Sequence, residues 1–155
     1  MHVTFPVTVH LFFFREEHIL LLRRFQTGYM DGYFSVPAGH LDGDETVRKA
    51  GVREAREEIG VQINPGDMNF AGVFHRREDE ERVDFFFHVK AWMGEPFNAE
   101  PQKCDQLLWA DPNTLPENTI PYICKAIDNF RRGKIYEEFG WGTNLFSNKN
   151  PGIPR

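Results

Sequence analysis

The stretch Glu45–Ile59 leaves the chain few ways to fold. It contains no proline and sets Val47, Gly51, Ala55 and Ile59 in an i, i+4 row, the spacing of one face of a helix. Gly60 follows as a stop signal, and Asp42 and Asp44 stand where a first turn favours negative charge. On the same helix Glu54, Glu57 and Glu58 fall at i, i+3 and i+4, within about 100° of the circumference. Like charges so placed repel. The cluster lies beside the apolar row rather than opposite it, so a helix packed on a sheet would present its glutamates at the edge of a cleft. Spacing alone leaves two readings open. One is a solvated acidic face screened by Arg53 and Arg56. The other is a carboxylate set for a hard divalent cation, which takes oxygen ligands and is often shared with substrate phosphates.

Strand patterns flank this helix. Phe5–Phe14 and His18–Phe25 are β-rich runs split by Arg15-Glu16-Glu17, a hairpin signal. Gln26–Gly32 is a loop, and Tyr33–Val36 a short extended piece ended by Pro37. Two further strands are expected at Asn69–Arg77 and Arg82–Met93, with Glu78-Asp79-Glu80-Glu81 as a solvated tip between them. A short strand at Leu107–Ala110 precedes a second helix, Pro121–Arg132, with Pro in its first turn and Gly133 past its end. Phe12-Phe13-Phe14 and Phe85-Phe86-Phe87 put aromatics on both faces of their strands, as a sheet covered on both sides requires. The sum is an α/β or α+β arrangement around a mixed sheet, within one domain.

The chain has 155 residues and a formal charge of −5. That length buries a core without disulfides, and the acidic balance argues against a nucleic-acid polymer as partner. No apolar run approaches the length of a membrane span, and Met1–Phe14 lacks the marks of a signal peptide. Cys104 and Cys124 have neither CxxC spacing nor a histidine at a ligand interval, so they read as reduced thiols of a cytoplasmic protein.

Gly39, five residues, Glu45, seven residues, Arg53-Glu54-Ala55, one residue, Glu57-Glu58, one residue, Gly60-Val61 resembles the Nudix box, GX5EX7REUXEEXGU, at every fixed position. The flanks, from about Val7 to Gly133, are similar to the Nudix family more weakly. The resemblance implies a Nudix-type α/β/α sandwich with a mixed sheet and a catalytic loop–helix–loop. It implies a domain over 1–155, with a core of about 5–133 and an extension over 134–155. The activity implied is divalent-metal-dependent hydrolysis of a pyrophosphate linkage in a nucleoside diphosphate joined to another moiety. Mg²⁺ is the expected cofactor, with Mn²⁺ as an alternative.

By the same resemblance Glu57 and Glu58 bind the cation, and Glu54 binds metal or takes the attacking water's proton. The carbonyl of Ala38 is a further ligand, and Glu45 and Arg53 orient the loop–helix–loop. Glu100, with Glu95 behind it, is the candidate for a carboxylate from a later loop. Arg24, Tyr33, Arg76 and Arg77 are the candidate substrate contacts, with Arg76 and Arg77 alternatively screening the acidic tip. Tyr29 and Phe34 share the loop region suited to a base. Histidines His10, His40 and His75 read as structural or surface residues.

The position where ADP-ribose enzymes of the family carry a downstream proline is Arg76 here, and tyrosine marks of dinucleoside-polyphosphate enzymes are absent. A small MutT-like enzyme acting on a nucleoside triphosphate, plain or modified, is the expectation, giving monophosphate and pyrophosphate. ADP-ribose or a nucleotide sugar is the alternative substrate, and a non-catalytic nucleotide-sensing module the alternative class. The partner is a small nucleotide, with no membrane, on a monomer or homodimer. The tail holding Gly140-Trp141-Gly142 would cover an interface or the core.

Overall fold

Strand β1 (Val7–Arg15) carries Val9, Leu11 and Phe13 on one face and Thr8, His10 and Phe12 on the other, nearly all buried. Both faces are therefore covered. The computed structural model describes residues 1–142, so the part of the 134–155 extension beyond Gly142 lies outside the described residues. Strands β2 (His18–Arg24), β3 (Phe34–Ser35), β4 (Ala38–His40), β5 (Met68–Arg77), β6 (Glu81–Val89), β7 (Cys104–Ala110) and β8 (Tyr136–Phe139) complete a mixed sheet. Its main path runs β3-β2-β1-β6-β5-β8, with β4 on β1 and β7 on β2. Helices α1 (Val47–Ile59) and α2 (Pro121–Arg131) cover opposite faces.

Phe13, Leu20, Leu22, Phe87 and Val89 pack with Ala50, Ala55 and Ile59 of α1. Phe12, Ile19, Leu21, Phe74 and Phe86 pack with Ile123, Ala126 and Ile127 of α2. This is the α/β/α sandwich. Phe12 and Phe13 are fully buried on opposite faces, and truncating either to alanine would remove about 3–5 kcal/mol.

One departure from a simple meander positions the site. β1 and β2 pair only at the hairpin end, through Phe14↔Ile19 and Arg15↔His18. Beyond that they splay, and the segment Phe34–His40 enters the gap. Its first part pairs with β2 through Leu22↔Ser35, and its second with β1 through Thr8↔His40, Val9↔Gly39 and His10↔Ala38. The backbone before α1 is thus held by both strands at the floor of the opening.

Several boundaries differ from the sequence spacing. α1 starts at Val47, because Thr46 caps it: its Oγ1 accepts the Lys49 N–H at 3.1 Å. Asp42 and Asp44 stay in the loop, with Asp44 at φ 55°, so neither belongs to the first turn. β6 ends at Val89 rather than Met93, and β7 begins three residues early, at Cys104. β4 and β8 are short strands that the periodicity does not reveal.

Candidate active site

At the cleft floor, β4 brings Gly39 against α1 so closely that a Cβ there would overlap the Glu54 carboxylate. Any larger residue would displace that side chain. Ala38 falls between the bonds Leu11 N–H to Pro37 O and Leu41 N–H to Val7 O, at a position whose own N–H and C=O face away from β1. Its N–H donates to Glu58 Oε1 at 3.2 Å. The carbonyl of Ala38 is directed to the same side.

Glu54 and Glu58 lie within hydrogen-bonding reach of each other. Burial, and then the Glu54 charge, push Glu58 well above the ordinary carboxylate range. Burial raises Glu54 as well, against the pull of Glu58 and Arg53. Glu57 is half exposed. Arg53 joins the loop to the helix: it donates to Glu45 Oε1 (3.2 Å) and Oε2 (2.8 Å), to Glu54 Oε2 (2.7 Å) and to the His40 carbonyl (3.1 Å). Glu45 also accepts the Asp42 N–H at 2.8 Å, and these donors hold its carboxyl below the usual range.

These groups open into a cavity of about 770 Å³. One wall is Glu54, Glu57 and Glu58, with Glu100 and Lys103 beside them. Arg23, Arg24, Thr27 and Tyr29 also line it. The β5–β6 hairpin contributes Arg76, Glu78, Asp79, Glu80 and Arg82 to the same lining. The acidic tip is therefore more than a solvated turn, since Glu78 pairs with Arg76 (2.9 Å), Glu80 with Arg82 (2.7 Å) and Glu81 with His75 (2.7 Å).

The expected site residues divide into those the fold gathers and those it separates. Glu54, Glu57, Glu58, Ala38, Glu100, Arg24 and Arg76 all line the cavity. Arg53 and Glu45 are outside the lining but bonded to it through Glu54, the His40 carbonyl and the Asp42 N–H. Arg24 donates to the Tyr29 carbonyl (2.6 Å) and to Thr27 Oγ1 (2.9 Å). Tyr33 is outside the cavity lining, where Tyr29 stands instead. Arg77 lies over the Trp141 ring, also outside that lining, and Glu95 pairs with Arg15 at 2.9 Å on the surface.

Arg76 is only 3% exposed. It pairs with Asp84 at 2.6 Å and lies 3.5 Å above the Tyr122 ring. Asp84 in turn accepts from Thr8, and Tyr122 OH meets His10 Nε2 at 2.9 Å. Burial drives His10 down to about 4, so its ring is neutral. Spacing did not single out Thr8, Asp84 or Tyr122 and read His10 as a plain strand residue. The available signal was Asp84 itself, a carboxylate amid Val83, Phe85, Phe86 and Phe87, which must find a partner when buried.

The donor set fits a hard divalent cation. Two partly buried carboxylates pressed together, a third nearby and a free carbonyl are oxygen ligands that favour Mg²⁺-type ions. Among the described residues no three His, Cys, Asp or Glu side chains form a ready-made cage. Mg²⁺ needs none, because it keeps waters and takes substrate phosphates as ligands.

Fold and cavity together define an α/β/α enzyme whose loop–helix–loop presents carboxylates to a polar cleft. A family model described as NUDIX domain matches residues 4–130, and the chain belongs to that family. The CTP pyrophosphohydrolase of Escherichia coli (strain K12) is 31% identical over 100 residues, covering 63% of this chain and 70% of that protein. The 8-oxo-dGTP diphosphatase of the same organism is 27% identical over 112 residues, covering 71% and 86%. The crystal structure of a MutT NUDIX hydrolase from Burkholderia pseudomallei superposes with a TM-score of 0.73 at 25% identity, over 79% of this chain and 95% of that one. The chain is a Nudix pyrophosphohydrolase, and nucleotide pyrophosphate hydrolysis is its chemistry.

Proposed function

We propose that the chain, as one domain over 1–155, hydrolyses a nucleoside triphosphate, plain or base-modified, to monophosphate and pyrophosphate with Mg²⁺. The observation that carries this is the Glu54–Glu58 pair, raised by burial at the floor of the cleft beside the free Ala38 carbonyl. The triphosphate is supported by the relatives named for CTP and 8-oxo-dGTP.

Glu57, Glu58 and the Ala38 carbonyl would hold the cation, with Glu54 and Glu100 next in reach. Bound Mg²⁺ supplies neutralisation of phosphate oxygens and a lowered pKa for bound water. Glu54, held by Arg53 beside Glu58, would accept the nucleophile's proton. Arg53 fixes the orientation of Glu54 and, through Glu45, of the loop before the helix. Arg24 and Lys103, in the cavity lining, would donate to phosphate oxygens. A cytoplasmic setting suits the free thiols of Cys104 and Cys124. No helix among the described residues is long and apolar enough to cross a membrane. Monomer and homodimer both satisfy this reading.

The test is a panel of nucleoside triphosphates, ADP-ribose and nucleotide sugars with Mg²⁺, with Glu57→Gln as control and separate measurement of phosphate and pyrophosphate. Pyrophosphate release from a triphosphate, abolished in the control, is the expected result. Turnover of ADP-ribose or nucleotide sugars alone would replace the substrate, and binding without turnover of any compound would refute hydrolysis.

A further inference from the structure

The NUDIX match ends at residue 130, and the segment after α2 returns to the sheet. β8 pairs in parallel with β5 through Val73↔Tyr136 to Arg76↔Phe139. Past it, Gly140 adopts φ +87° and lies so close to the Arg77 carbonyl that a Cβ would overlap it. This turn drops Trp141 onto the hairpin. Its Nε1 donates to the His75 carbonyl at 3.0 Å, its ring lies 4.7 Å from that of His75, and the Arg77 guanidinium stands 5.3 Å above it.

Trp141 thus grips the residues on either side of Arg76. Successive strand residues point to opposite faces, so Arg76 projects the other way, into the cleft wall, where it holds Glu78 and Asp84. Without the strap, β5 would be an edge strand carrying unpaired backbone groups, and its end would rest on the β6 ladder alone. This end of the hairpin lines the same cavity as the α1 glutamates.

We propose that Trp141 is a positioning residue for the substrate cleft: it fixes the backbone of His75–Arg77 and so sets Arg76 and Glu78 in the cavity lining that the hairpin supplies. The kinetic part rests on the nucleoside triphosphate reading above. Chemistry depends on α1 and the loop before it, so loss of the indole should act on substrate binding and leave the chemical step alone.

The experiment compares full-length wild type, Trp141→Ala and Trp141→Phe by steady-state kinetics on the best triphosphate with Mg²⁺, and by hydrogen exchange of the Val73–Arg77 amides. Trp141→Ala loses the hydrogen bond to the His75 carbonyl and the ring contacts with His75 and Arg77 together, so it should raise KM about tenfold, with kcat within about twofold. The β5 amides should exchange roughly tenfold faster while α1 amides do not change. Trp141→Phe keeps the ring and loses the donor, so it should recover part of the KM loss. It carries the test alone, at about a threefold rise in KM, if Trp141→Ala is not recovered folded. A fall in kcat at constant KM, or unchanged β5 exchange, overturns the proposal. If no nucleotide is hydrolysed while β5 exchange still accelerates, the hydrolase reading fails and the strap's structural role stands.

Discussion

Acidification should selectively weaken this protein through His10. The ring is 2% exposed and stacks on Phe86 at 4.6 Å, with Nε2 on the Tyr122 hydroxyl. Its folded pKa of about 4 lies below the unfolded value of 6.5. A depressed histidine favours the fold while neutral, so its contribution is complete above about pH 6.5 and is lost as pH falls towards 4. For those two pKa values, protonation of the unfolded chain at pH 5 removes about 2 kcal/mol relative to pH 7.5. That is about 4–8 °C of melting temperature for a chain of this size.

The comparison is wild type against His10→Leu, unfolded in urea across pH 7.5 to 5 and followed by tryptophan fluorescence. Leucine leaves the Tyr122 hydroxyl without its partner, a deficit that does not vary with pH in this range. Asp84, whose carboxyl lies below its ordinary value, stays ionised down to pH 5 and drops out of the difference. The stability gap between the two proteins should therefore close by about 2 kcal/mol between pH 7.5 and 5. A gap constant to within about 0.5 kcal/mol would show that His10 does not titrate abnormally and would refute the buried neutral ring.

Asp84→Asn should destabilise by about 3 kcal/mol in urea titrations, because it removes the buried carboxylate from Arg76 and leaves only the part-exposed Glu78 as its charged partner; a loss under about 1 kcal/mol would mean that Glu78 or solvent suffices. Arg53→Lys should lower kcat and stability together, the latter by about 1–2 kcal/mol, since a single ammonium does not reproduce the fork to Glu45 and Glu54; wild-type kinetics in the lysine variant would dismiss the tether. Mg²⁺ at about a hundred times its dissociation constant should stabilise the wild type by about 2.7 kcal/mol and the Glu57→Gln/Glu58→Gln double variant far less. Equal thermal shifts in both would place the cation elsewhere.

The chemistry was more legible in the sequence than the pocket around it. Glu54, Glu57 and Glu58 sit on one helix, where a fixed angle per residue converts spacing into geometry, and Gly60 ends that helix with φ 69° as the pattern required. Asp42 and Asp44 fall outside the first turn because Thr46 caps the helix and Asp44 adopts a positive φ in the preceding turn. β8 escaped notice since four residues with two adjacent glutamates carry no apolar alternation, and its pairing with β5 is remote in sequence. Arg76 looked like a surface cation beside an acidic run. Only strand register, which puts Phe74 opposite Asp84, reveals a partner waiting within the sheet.

The place of β1 also bears on how the chain reaches this state. It is made first, yet its long parallel partner β6 supplies residues 83–89, and the β4 segment fills only its Thr8–His10 end. A growing chain therefore carries Phe12 and Phe13 without their native cover until β6 and the covering helices have been synthesised. Pairings of such sequence separation slow folding and expose sticky intermediates. Early translation, rather than the finished enzyme, is where this sequence is most vulnerable to aggregation, and substitutions in β6 should reduce soluble yield more than equally destabilising ones in β7.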